Sequence, residues 1–263
     1  MSNPPQDAEF SVSQGLGYKT LNKGIIIMKS TNALSACVDI FIAPTKAFNG
    51  IKETKGWSWL AFALIITALV ASSYLFYSKA DPQFLLEQQV AAATVDATIG
   101  EKKMIRQSME QGIDNQVWFA IGGGIFGIII INALISGYYL LVSKQDPEAN
   151  YGYGAWYGFG LWTMMPMIIS SLGVIALVLT ASTNELSINL FSYASVNQLM
   201  LGLELGHPFY TMTESLNIFS LWGIALATIG LTCWTNFSFN KALLFAALPS
   251  VVIYGIWTVI ALV

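Results

Sequence analysis

Three side chains in this sequence have the chemistry of metal ligands. Glu204, His207 and Glu214 fall within one short stretch. Two carboxylates and an imidazole suit a divalent transition metal. His207 is the single histidine, and Pro208 follows it. The plainer reading is therefore a polar approach to an apolar helix, and no metal is expected. A second pattern, Gly122-x-Gly124-x-x-Gly127, matches the dinucleotide fingerprint. That fingerprint needs a strand before it and a helix that opens at the phosphate. Here it lies inside an apolar run, so it reads as helix packing and no cofactor is expected. The sequence holds no zinc-protease His-Glu-x-x-His and no phosphate-binding loop. Nor can the single histidine be paired by sequence with a Ser or Cys nucleophile, so no catalytic residue is assigned.

Composition explains why so little chemistry is visible. Of 263 residues, 55% are hydrophobic and 10% are charged, against about 25% charged in soluble domains. The mean hydropathy is +0.59. Such a chain cannot cover a soluble surface with polar groups. It reads as a polytopic membrane protein, not a soluble enzyme, a nucleic-acid binder or a secreted disulfide scaffold. The net charge of −3 agrees, since phosphate backbones are bound by clustered Lys and Arg. Cys37 and Cys233 read as small hydrophobes.

A membrane-crossing helix needs about 20 apolar residues. Runs that qualify are Trp57 to Ser78, Val117 to Ser143, Ala155 to Ala181, Ser215 to Asn236 and Lys241 to Leu262. The fold class expected is an all-α polytopic helical bundle of about five spans. Pro166 can kink the third without breaking it. Residues 79–116 form a helical loop on one side, opened by Asp81-Pro82. Residues 186–205 are apolar but threaded with Ser, Asn and Gln, and are read as interfacial or re-entrant. Residues 1–30 are a polar flexible tail without a signal peptide. Lys19, Lys23, Lys29, Lys46, Lys52, Lys55, Lys144 and Lys241 fall on one side, and Lys79, Lys102, Lys103 and Arg106 on the other. The positive-inside rule then puts the N-terminus in the cytoplasm and the C-terminus outside.

Two short helices precede the first span. Leu34 and Phe41 share a face of the first at helical spacing. Pro44 and Thr45 open the second, with Phe48 and Ile51 on its apolar face. Both are expected at the membrane surface, presenting these six residues to lipid or a partner. Within the spans, small residues recur at four-residue spacing: Gly123/Gly127, Ala133/Gly137, Gly154/Gly158 and Gly223/Ala227. Such pairs let membrane helices approach closely, within one chain or between copies. The hydrocarbon core of these spans holds no Asp, Glu, Lys, Arg or His, which argues against proton coupling. Asn132, Ser136, Asn217 and Thr228 could line a polar path, although interhelical hydrogen bonding is the favoured role.

Two segments carry a family resemblance. Ile40-Phe41-Ile42-Ala43-Pro44-Thr45-Lys46-Ala47-Phe48 resembles the opening of the Yip-domain family of Ypt-interacting-protein-like membrane proteins. His207-Pro208-Phe209, followed by Leu216 to Trp222 and Ile229-Gly230-Leu231, resembles that family's approach to its fourth span. The resemblance implies five membrane helices and a cytoplasmic N-terminus. Eukaryotic members are linked to Rab-type GTPases and vesicle traffic. The Pro-Thr-x-x-Phe opening looks prokaryotic, which implies a bacterial inner membrane. The family supplies no catalytic residues. The reading is then a non-enzymatic scaffold that organises the bilayer or holds a protein partner or a second copy. The alternative is a transporter or channel for a neutral or lipid-like substrate. A metal-dependent enzyme or sensor comes third.

Overall fold

The computed structural model describes residues 18–20, 26–95 and 97–262, so most of the expected tail lies outside the described residues. A small antiparallel pair, β1 (Tyr18–Thr20) and β2 (Ile26–Met28), leads into the helices. The regular elements that follow are helices, and the chain is an integral membrane protein built as an all-α bundle.

Local chemistry sets the first helix boundaries. α1 (Ala33–Ile42) opens with a capping box in which Asn32 and Ser35 satisfy each other's backbone N–H. It ends at Ala43, because Pro44 then starts α2 (Pro44–Glu53), and proline is best placed in a helix's first turn. Gly56, at φ +91°, makes the left-handed turn into α3 (Trp57–Lys79). Asp81 caps α4 (Pro82–Ala93) by accepting from the N–H of Phe84 at 2.8 Å. Thr98 and Glu101 form a second capping box at the start of α5 (Ile99–Gly112). One 3₁₀ turn joins α5 to α6 (Gln116–Ser143).

Two prolines shape the later spans. Pro166 separates α7 (Tyr153–Thr163) from α8 (Pro166–Thr180). Having no N–H, it cannot bond the Trp162 carbonyl one turn back, which accepts from the N–H of Met165 instead at 3.4 Å. α9 (Tyr210–Ser215) is short, and Asn217 caps α10 (Ile218–Trp234). α11 (Phe239–Leu262) contains Pro249. The Phe245 carbonyl that Pro249 leaves free accepts from the Tyr138 hydroxyl of α6 at 2.8 Å.

The apolar runs become α3, α6, the α7–α8 pair, α10 and α11. Among the described residues, four helical stretches are long and apolar enough to cross a membrane: Trp57–Lys79, Ile99–Ser143, Tyr153–Thr180 and Phe239–Leu262. α10, at 17 residues, is shorter than the expected run because Asn217 caps it. Residues 186–205 form a 3₁₀ segment (Ile188–Ser192) and a π turn (Asn197–Leu201), each too short to cross. The 3₁₀ segment packs at the α3 C-terminal end, where the Phe191 ring lies 4.8 Å from that of Phe76, and just before it Asn184 O accepts from the N–H of Asp81 at 2.7 Å. There Lys79 Nζ also donates to the Val178 and Ala181 carbonyls at 2.7 and 2.8 Å, closing the end of α8.

Candidate functional site

Two parts of the bundle assemble side chains in ways that packing alone does not require. The first is the α1–α2 hairpin. Its corner is pinned by Asp39, a carboxylate only 6% exposed. Ser30 donates its hydroxyl to Asp39 at 2.7 Å, and Lys46 Nζ stands 3.0 Å away. A buried carboxylate must be paired in this way. The hairpin then docks along α10, from Trp222 to its C-terminal end. Trp234 Nε1 donates to the Phe48 carbonyl at 3.2 Å, and Lys52 Nζ to the Cys233 carbonyl at 3.0 Å. Phe41 packs edge-on against Trp222, with ring centroids 5.6 Å apart.

This docking divides the six expected surface residues. Phe48 is fully buried and Ile51 nearly so, so the apolar face of α2 is spent inside the protein and is not offered to lipid or a partner. The Phe48 ring lies 5.2 Å from that of Phe159, within a cluster that also holds Trp156 and Trp234. Phe41 and Pro44 are half-buried and Thr45 is exposed. Leu34 does remain outside. With Val38 and Ile42 it makes a stripe at four-residue spacing, exposed by 71%, 59% and 75%.

The second part is a cavity of about 480 Å³ among α3, α6, the α7–α8 break, α10 and α11. Hydroxyls gather there from separate helices: Ser72 and Ser73, Ser170 and Ser171, Ser220, and Ser250. Pro166 and Pro249 face it from two sides, and no charged residue lines it. The sequence reading overlooked these serines. The signal that could have found them is the pair Ser72-Ser73 and the pair Ser170-Ser171, each set within an apolar span.

The four residues that could line a polar path do not share one cavity. Asn132 and Ser136 are fully buried between α6 and α7. Asn132 Nδ2 donates to the Tyr157 carbonyl at 3.0 Å, and Ser136 donates to the Asn132 carbonyl. Thr228 donates to its own helix at Ile224 O. Asn217 alone of the four reaches the cavity, while its side chain caps α10 through the N–H of Ser220 at 2.9 Å.

The small residues also divide. Gly158 faces Ser58, Gly223 lies against the Thr163 carbonyl, and Ala227 is buried. Gly123, Gly127, Gly137 and Gly154 meet open space within the chain. Ala133 offers its carbonyl to the Tyr153 hydroxyl at 3.0 Å. The close approach of α6 to α3 falls instead on Gly124, where an added Cβ would stand 2.9 Å from Leu69.

Glu204, His207 and Glu214 do not come together. Glu214 accepts from Asn197 Nδ2 at 2.9 Å and from Ser195 and Gln198, tying α9 to the segment before it. His207 Nδ1 accepts from the N–H of Phe209. Among the described residues, no three of His, Cys, Asp and Glu gather as a metal site.

A polar lock at the hairpin's end of the bundle escaped the sequence reading. Asp146, between α6 and α7, accepts from the N–H of Asn236 at 2.6 Å, and Glu148 accepts from Asn236 Nδ2 at 2.8 Å. The Asn236 backbone bond holds the Asp146 carboxyl below its ordinary range. The folded state therefore favours the ionised form. Its contribution is present above the ordinary carboxylate value, about 3.9, and is lost as pH falls through the folded one. Thermal melts of the detergent-solubilised protein should show wild type losing more stability than Asp146→Asn on acidification through that range. Parallel curves would remove the lock.

A model of the Yip1 domain matches residues 38–260. No curated protein and no solved structure matches.

Proposed function

The chain belongs to the Yip1 domain family, and from that premise we propose that it is a non-enzymatic membrane scaffold working through the α1–α2 hairpin. The observation that carries this reading is the stripe of Leu34, Val38 and Ile42. It is exposed although the hairpin beneath it is clamped by Asp39, Phe41 and Phe48. An apolar stripe on a rigid mount suits a helix lying in the membrane interface. There it can order lipid or hold a protein partner. Lys46, Lys52, Lys144 and Lys241 lie in or next to the helix ends on the hairpin's side, which supports a cytoplasmic N-terminus. A bacterial inner membrane fits the sequence of the opening.

Leu34→Glu, Val38→Glu and Ile42→Glu together test the scaffold. All three side chains are exposed, so the melting temperature in detergent should stay near wild type. Localisation and the set of proteins that co-purify from the native membrane should change. Wild-type localisation and partners in a folded triple variant would sink the reading.

The cavity favours a second reading, transport of a neutral or lipid-like substrate. Its uncharged lining suits such a molecule, and Pro166 provides a break at which α7 and α8 could move. Liposomes containing the purified chain test it. Absence of flux for a panel of neutral solutes and fluorescent lipids would retire transport.

A further inference from the structure

We propose that the cavity is a binding site for the uncharged polyol head of a membrane lipid, with the lipid's chains leaving toward the bilayer. This deepens the transport reading by naming a ligand class, and it stands apart from the scaffold. Binding without flux would keep the site and remove transport.

The argument begins with the state of the hydroxyls. A serine in a membrane helix ordinarily donates to a carbonyl three or four residues back. Ser72 does so to Leu69 O at 3.1 Å, and Thr163 to Gly160 O at 2.7 Å. Among the described residues, Ser73, Ser170, Ser171 and Ser250 make no such bond, and all four line the cavity. Ser73 is only 6% exposed. Unpaired donors at membrane depth are costly because no bulk water reaches them. Hydroxyls arriving from α3, α8 and α11 at one void are what a group with several donors and acceptors of its own would satisfy.

Charge and size narrow the ligand. No Lys, Arg, His, Asp or Glu lines the cavity, so a phosphate or ammonium head would be desolvated without a counter-charge. A volume of about 480 Å³ falls within the range of about 300–1,000 Å³ usual for ligand pockets. Phe219 and Ile224 supply the apolar wall along which a chain can run.

The test uses the full chain in phosphatidylcholine nanodiscs with two photoactivatable probes. One is a monohexosyl diacylglycerol carrying a diazirine on its acyl chain. The other is phosphatidylglycerol with the same chain. The expected result is preferential labelling by the neutral probe, mapped to peptides of α8 and α11. The double variant Ser73→Ala, Ser171→Ala should lose labelling by about tenfold, the cost of two hydrogen bonds. If that variant does not fold, Ser250→Ala, on a half-exposed position, replaces it and should reduce labelling several-fold. Equal labelling by the two probes, labelling unchanged in the folded variant, or labelling by neither would each overturn the proposal.

Discussion

Replacing Phe48 with alanine should destabilise the folded chain by about 3–5 kcal/mol, the usual cost of deleting a buried aromatic ring. Phe48 is fully buried. Its ring packs on Phe159 and beside Gly230, where an added Cβ would stand 2.8 Å from Phe48 Cε1 and 2.5 Å from Phe159 Cε2. Both atoms belong to rigid rings, so neither can swing aside as a flexible chain would. Gly230→Ala should therefore cost about 1–3 kcal/mol through overpacking. The two changes share one space. In the double variant the hole left by the Phe48 ring gives Phe159 room to move off the new methyl, so the combined loss should fall short of the sum. Reversible unfolding in mixed micelles reads all three values. A Phe48→Ala protein as stable as wild type would mean that the hairpin is not docked on α10. The proposed scaffold would then lose its mount.

Gly160→Ala should come next in size, at about 2–4 kcal/mol, because it combines overpacking with the loss of a buried hydrogen bond. An added Cβ would run into Asn132 Oδ1 and stand 3.2 Å from Asn132 Cγ. Asn132 is fully buried, so its amide has no free space to move into. Retreat would cost the bond from Nδ2 to the Tyr157 carbonyl at 3.0 Å. Asn132 Oδ1 already lacks a hydrogen-bond partner, so removing the amide also removes an orphan. Asn132→Ala combined with Gly160→Ala should accordingly recover part of the loss. The same unfolding measurement decides. If Gly160→Ala alone is silent, α6 and α7 are not held at this distance.

The contrast between these two sites shows what a linear reading can find. Asn132 and Ser136 were recognised as polar groups sharing a face, and interhelical bonding was the favoured role. The structure seats Asn132 against α7 in that way. Gly160 was not singled out, because a lone glycine among the glycines of Tyr153–Thr163 carries no spacing signal. The pairs chosen by four-residue spacing met a different fate. Gly158, Gly223 and Ala227 lie at helix contacts, while Gly123 and Gly127 face away from the chain. Spacing places two small residues on one face, but it does not say what that face meets.

The amino-acid sequence by itself determined the class of the molecule. Apolar runs long enough to span a bilayer, with a helix start marked at Asp81-Pro82, dictate helices whose backbone groups must bond one another in lipid. The Ile40–Phe48 opening likewise marked the Yip1 domain family. These features are local, so they can be read in order along the chain. Tertiary structure alone decided which way α2 faces, that Glu204, His207 and Glu214 stay apart, and that Ser73, Ser171 and Ser250 meet at one cavity. The first and last depend on the rotation of one helix against another, and the second on where a loop sets Glu204 and His207 relative to α9. In a membrane, lipid-facing and protein-facing surfaces are equally apolar. Hydrophobic periodicity then falls silent about rotation, and only the packing of particular side chains such as Phe48 against Phe159 sets it.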